Sequence, residues 1–118
     1  MARLSGLKIE DLIVGTGPTA LRGATVKTHY RLFLNRGDEL RGSYDYSEPC
    51  TFCIGKRQVI AGLEHGVVGM RAGGKRRIRV PPHLAYREQG VAGLVPPNAV
   101  LIFEVELLSV KFEKRSSS

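Results

Sequence analysis

Two cysteines, Cys50 and Cys53, stand in a C-x-x-C spacing, and three histidines, His29, His65 and His83, are scattered along the chain. C-x-x-C supports redox chemistry when the leading thiolate sits at a helix N-terminus. Here the neighbours Pro49, Thr51, Phe52 and Ile54 read as strand, and strand positions i and i+3 face opposite sides. The pair is therefore poorly placed to close a bridge. Zinc would need two further ligands, and the sequence has no second cysteine pair. The spacing predicts two ordinary thiols in a reducing compartment. No Ser-His-Asp or Cys-His set stands out, no Gly-rich phosphate motif follows a strand, and no carboxylate pair sits in apolar surroundings. Nucleophilic, metal and phosphoryl chemistry thus find no support. What remains is an apolar surface with a few hydrogen-bond donors, suited to binding or to a reaction without a covalent step.

Residues 81–99 are the best candidate for that surface. They read P-P-H-L-A-Y-R-E-Q-G-V-A-G-L-V-P-P-N-A, hold four of the six prolines and show no periodicity. Structureless loops this long are uncommon in compact domains and tend to be functional. Leu84, Ala85, Tyr86, Val91, Ala92, Leu94 and Val95 make it apolar as well, and an exposed apolar loop would be a liability. The loop is expected to fold over an open side of a sheet and to wall a pocket with Tyr86. The plainer alternative is a loop that merely caps the core.

The elements that must hold such a loop are legible from their periods. Residues 7–14 form a first strand, stopped by Gly15-Thr16-Gly17-Pro18. Residues 25–34 alternate, with Val26, Thr28, Tyr30, Leu32 and Leu34 on one face and Lys27, His29 and Arg31 on the other. Asn35-Arg36-Gly37-Asp38 is a hairpin turn, from which residues 39–44 return. Residues 51–54 add a short strand. Between residues 59 and 70 the period changes: Ile60, Leu63, Val67 and Met70 make one helical stripe. Gly62, Gly66 and Gly69 make it a poor autonomous helix, so packing must hold it and it should be short. Residues 75–80 alternate again, with Arg76 on the same face as Ile78 and Val80. The strongest strand spans residues 100–110, with Leu101, Phe103, Val105 and Leu107 facing inward. Strands dominate and the helix is alone, so the domain is α+β with one core and the helix across an antiparallel sheet.

A chain of 118 residues fits one such domain. At 42% hydrophobic and 25% charged it is ordinary for a globular protein. No apolar run approaches the ~20 residues of a membrane span, and the first six residues lack an apolar signal core. No membrane association is expected and a cytoplasmic location is. The net charge of +7 arises between residues 20 and 80, where twelve basic residues face five acidic ones. The densest run is Arg71, Lys75, Arg76, Arg77 and Arg79. It could steer acidic partners or nucleic acid. No stacking aromatics flank it, which argues against nucleic acid and favours a solvated strand face.

In these blocks the chain resembles the FKBP-type peptidyl-prolyl cis-trans isomerases, the macrolide-binding immunophilins. The matching text is V-K-T-H-Y at residues 26–30, I-G-K-R-Q-V-I-A-G-L-E-H-G-V at 54–67, L-A-Y-R at 84–87, L-V-P-P-N-A at 94–99 and L-I-F-E-V-E-L-L at 101–108. The resemblance covers residues 7–110, taken as the domain, with residues 1–6 as an N-terminal extension and 111–118 as a charged, serine-ended tail. It implies a five- to six-stranded antiparallel half-barrel sheet wrapped around one short helix, with the pocket between them. Residues implied to line the pocket are Tyr30, Leu40, Arg41, Cys50, Val59, Ile60, Leu63, Tyr86, Leu94, Val95 and Phe103, with Leu63 as floor. Tyr86, Ile60 and Phe103 would carry catalysis, the Ile60 N–H and Tyr86 hydroxyl bonding the bound chain. The implied partners are Pro-containing polypeptides and macrolide inhibitors; a monomer is expected and no cofactor is needed.

The sequence departs from the family pattern at the pocket mouth. Leu40-Arg41-Gly42-Ser43 stands where the family usually has Phe-Asp-Ser-Ser, a charge reversal at Arg41. The arginine that usually partners that aspartate is Tyr46, the usual aromatic is Cys50, and the usual tryptophan is Leu63. Losing both members of the buried pair avoids an orphaned charge. Two functions follow from the resemblance: a prolyl isomerase with lowered rate and macrolide affinity, or a non-catalytic module that keeps the fold and binds peptides or proteins.

Overall fold

The computed structural model describes residues 6–40, 49–86, 89–92 and 95–112. Strands β1 (Lys8–Ile13), β2 (Ala24–Leu34), β3 (Glu39–Leu40) and β4 (Cys50–Cys53) are followed by helix α1 (Ala61–Val67), β5 (Lys75–Val80), a 3-10 turn (Pro82–Leu84) and β6 (Leu101–Phe112). The six strands form one sheet in the order β1-β5-β6-β2-β3, with β4 also on β2. All the strand pairings are antiparallel. The β2–β3 hairpin closes through the Leu34 N–H to the Asp38 carbonyl at 2.8 Å. Gly37 takes φ +108° there, a conformation open to glycine at little cost.

The period-two reading of β2, β5 and β6 holds. Val26, Thr28, Leu32, Leu34, Ile78, Val80, Leu101, Phe103, Val105 and Leu107 are buried. The register pairs Leu32 with Phe103 and Ile78 with Phe103, so Phe103 sits centrally between two neighbouring strands. A register shift follows at Lys27/Thr28: Thr28 pairs with Leu107 but Lys27 with Ser109. Leu108 is the extra, unpaired residue on β6 and is exposed; beyond it the faces are reversed, so that Val110 packs toward the core. β1 behaves differently from the other long strands. Every one of its residues is exposed, because it lies at the sheet edge beyond β5. Only Leu7, just before it, packs against the core.

Helix α1 is shorter than the stripe that predicts it and lies against β5. Leu63, Val67 and, beyond its end, Met70 enter the core. Gly62 and Gly66, one turn apart, face β5 so closely that a Cβ on Gly62 would lie 2.2 Å from Val80 Cγ1, and one on Gly66 would lie 2.6 Å from Ile78 Cδ1. These glycines weaken the helix alone but let its backbone touch the sheet. Arg76, inward-facing as the alternation requires, fastens its far end. Its Nη1 donates to the Gly66 and Val68 carbonyls, both at 2.9 Å, and its Nε to Asp11 Oδ1 of β1 at 2.7 Å. Helix, β5 and edge strand are thereby joined through one buried guanidinium.

Candidate active site

The elements bring most of the expected pocket residues to one place. Leu63, Val95 and Phe103 are buried in the core, and Tyr30, Leu40, Cys50, Val59 and Ile60 pack partly buried against it. The Tyr30 and Phe103 rings meet at 5.6 Å between centroids, inclined by 56°, a favourable aromatic geometry. Arg41, Tyr46 and Leu94 lie outside the described residues. Ala85, Val91 and Ala99 join the same apolar surface. Their only sequence signal is membership of the long apolar loop.

That loop is less irregular than its sequence implies. Leu84 and Val95 are buried anchors. Between them the Gly90 N–H donates to the Tyr86 carbonyl at 3.1 Å, and Val91 and Val95 exchange two backbone bonds of 2.8 Å. Tyr86 is held between the anchors yet stays 36% exposed. Burial of part of the ring pushes its phenol pKa up, so the hydroxyl is a protonated donor at neutral pH. Ile60 precedes α1 in extended conformation, φ −58° and ψ 149°. Its carbonyl accepts from the Leu63 and Glu64 N–H groups, and its own N–H has no backbone acceptor among the described residues.

Cys50 lies on β4 opposite Thr28, whose hydroxyl donates to the Cys50 carbonyl at 3.0 Å. Burial pushes the Cys50 thiol up, partly opposed by side-chain hydrogen bonding from Thr28; the group is a thiol, not a nucleophile, at neutral pH. Both cysteines are free. No group of three or more potential metal-ligating side chains occurs among the described residues, and no helix among them is long and apolar enough to cross a membrane.

The basic run dissolves into local pairs. Arg77 bridges Glu10 and Glu104, each at 3.1 Å, Arg79 donates to the Asn35 side chain, and Arg71 caps the Thr16 and Gly17 carbonyls. On the same outer sheet face Arg31 makes a two-pronged pair with Glu39 and holds that carboxyl below its ordinary pKa. Arg31, Arg77 and Arg79 on this strand face are thus each engaged by a neighbouring side chain.

The apolar cluster thus carries aliphatic and aromatic side chains beside the Ile60 amide at the start of α1. The sequence profile of the FKBP-type peptidyl-prolyl cis-trans isomerases matches residues 17–108. The chain belongs to this family. The FK506-binding protein of Neisseria meningitidis serogroup B is 43% identical over 107 residues, covering 91% of this chain and 98% of that one. FK506-binding protein 1A of Neurospora crassa is 43% identical over 110 residues, covering 92% of each. Among solved structures, that of AtFKBP13 superposes with a TM-score of 0.83 at 39% identity, covering 89% of this chain and 93% of that one. FkpA from Escherichia coli gives 0.80 at 38% identity, covering 91% of this chain and 49% of that one. The FKBP fold accounts for the antiparallel sheet and for the one α-helix among the described residues.

Proposed function

We propose that this FKBP-family chain is a peptidyl-prolyl cis-trans isomerase. In this reading it acts on X-Pro bonds of polypeptides through the apolar surface between α1 and the sheet, at a rate and macrolide affinity below the family's usual level. The observation carrying the reading is family membership across residues 17–108, with Tyr30, Val59, Ile60, Leu63, Val95 and Phe103 gathered on one apolar cluster. Relatives named for FK506 binding support macrolides as the ligand class. Rotation about X-Pro is held back by amide resonance and takes tens to hundreds of seconds uncatalysed. The planar amide is the more polar state, and the twisted transition state has lost conjugation. An apolar surface therefore disfavours the planar ground state relative to the twisted one, which is differential binding. The Tyr86 hydroxyl and the Ile60 N–H would fix the chain on one side while the other rotates. No proton is transferred and no cofactor takes part.

Leu63, 3% exposed, gives a shallower floor than an indole. Arg41 places a cation where the family has an acceptor, and cannot accept a ligand hydrogen bond. The test is proline-limited refolding of a reporter protein. Wild type should accelerate it, Tyr86→Phe should act several-fold less well, and Arg41→Asp with Leu63→Trp and Tyr46→Arg should raise turnover and macrolide affinity together. Peptide binding without acceleration would identify a binding module instead. A wild type already as fast as an efficient isomerase, unchanged by the substitutions, would refute the lowered rate.

A further inference from the structure

Eight arginines fall among the described residues, and six are engaged. Arg31, Arg36 and Arg77 pair with carboxylates, Arg76 with a carboxylate and two carbonyls, Arg71 with carbonyls and Arg79 with an amide. The other two, Arg22 and Arg57, have no side-chain partner among the described residues, and both line the same cleft of about 370 Å³. Gly55, Val59, Ala61, Glu64 and His65 complete its walls.

The two guanidiniums project from fixed backbone. The loop carrying Arg22 is tied to the loop carrying Arg57 by the Gly23 N–H to the Ile54 carbonyl and the Ile54 N–H to the Ala24 carbonyl, both at 2.9 Å. The Arg22 stem lies across Gly55, where a Cβ would come within 3.2 Å of its Cγ. Arg57 adopts φ +56°, uncommon for a residue with a side chain. Its N–H donates to Oε2 of the buried Glu64 at 3.1 Å. Among the described residues Glu64 is the only acid lining the cleft and one of its oxygens accepts that amide, so two exposed cations outweigh one buried anion. Lys56, next in the chain, adds to the field. Val59 joins the cleft to the apolar cluster, since it lines the one and packs against the other.

We propose that this cleft is a specificity subsite for a carboxylate side chain of the substrate polypeptide, flanking the X-Pro segment in the apolar pocket. The proposal rests on the prolyl-isomerase reading and names its substrate class: Pro-containing chains with an acidic residue near the proline. Two forked guanidiniums suit a planar carboxylate, and Val59 makes the two sites contiguous.

The experiment uses otherwise identical X-Pro peptides carrying one Glu, or its isostere Gln, at successive positions on either side of the proline. Binding is measured by titration and turnover by isomerase assay. At one or two positions the Glu peptide should bind about three- to tenfold more tightly, as expected for exposed ion pairs. The advantage should shrink as salt approaches 1 M, where the screening length is ~3 Å. Arg22→Gln with Arg57→Gln should abolish it, and Arg22→Glu with Arg57→Glu should reverse it, while Gln peptides are handled as by wild type. Equal binding of Glu and Gln peptides at every position, or a preference that survives the double Gln variant, overturns the inference. An equal Glu preference in proline-free peptides also overturns it, because the cleft would then act independently of the pocket. Failure of wild type to bind or turn over any Gln peptide instead refutes the prolyl reading, and the subsite with it.

Discussion

Gly62→Ala sets helix propensity against packing, and the structure decides the sign. In an exposed helix, replacing Gly with Ala stabilises by about 1 kcal/mol. Here the new methyl would stand 2.2 Å from Val80 Cγ1, 2.9 Å from Cγ2 and 3.0 Å from Cβ. Carbon atoms rest at about 3.5–4.0 Å, so α1 and β5 must part by an ångström or more. Val80 is fully buried and stiff at χ1, so it cannot turn aside. Overpacking of this kind costs about 1–3 kcal/mol, occasionally more, and the shortness of the contact places it at the upper end. The net expectation is a destabilisation of about 2 kcal/mol. Val80→Ala removes both Cγ atoms and should itself cost about 2 kcal/mol through the cavity left. Together the two changes should be far less than additive, with a coupling of about 1–2 kcal/mol. Urea unfolding of the four proteins in the cycle gives these numbers, and Ala61→Gly, at an exposed position of the same helix, calibrates propensity alone. Because α1 carries Leu63, peptide affinity should fall in Gly62→Ala and recover in part in the double variant. A Gly62→Ala protein more stable than wild type, or additive effects in the cycle, would refute the close helix–sheet contact.

Phe103→Ala should cost about 3–5 kcal/mol, because the ring is 3% exposed; a loss of a few tenths in denaturant unfolding would mean that the faces of β6 are inverted. Arg76→Met keeps the buried stem but strips two helix carbonyls of their charged donor, and should cost about 3 kcal/mol, read as a melting temperature lower by about 10 °C. Burial raises the Tyr86 phenol, so its native pKa lies above that of the unfolded chain. Its contribution to stability is complete below the ordinary tyrosine value of about 10 and is lost as pH climbs through the native pKa. The difference between wild-type and Tyr86→Phe ultraviolet titrations should therefore show one phenol ionising above pH 10, and a midpoint below that value would contradict its burial. Cys50, raised by desolvation, should react with a thiol reagent at neutral pH more slowly than a free model thiol; equal rates would place it in water.

Sequence by itself determined the elements. The alternation in β2, β5 and β6 is a local property of residues two apart, and the stripe of Leu63, Val67 and Met70 is local at three and four. Period alone therefore places Phe103 and Leu63 inside and even turns Arg76 inward. The ordered motifs carried the family and, through it, the expected pocket. Tertiary structure decided what depends on register between distant segments. The apolar residues of β1 are exposed because that strand falls at the sheet edge, a fact of strand order invisible in its own pattern. The bulge opposite Lys27 and Thr28 reverses the end of β6 because one residue lacks a partner across the ladder. Gly62 and Gly66 read as helix weakness until Val80 and Ile78 are brought against them. The charge surplus has the same character. Arg77 and Glu10 meet across 67 positions of sequence, whereas Arg22 and Arg57 line one cleft without a carboxylate partner among the described residues. Charge neutralises charge only at contact distance, and contact distance is set by the fold.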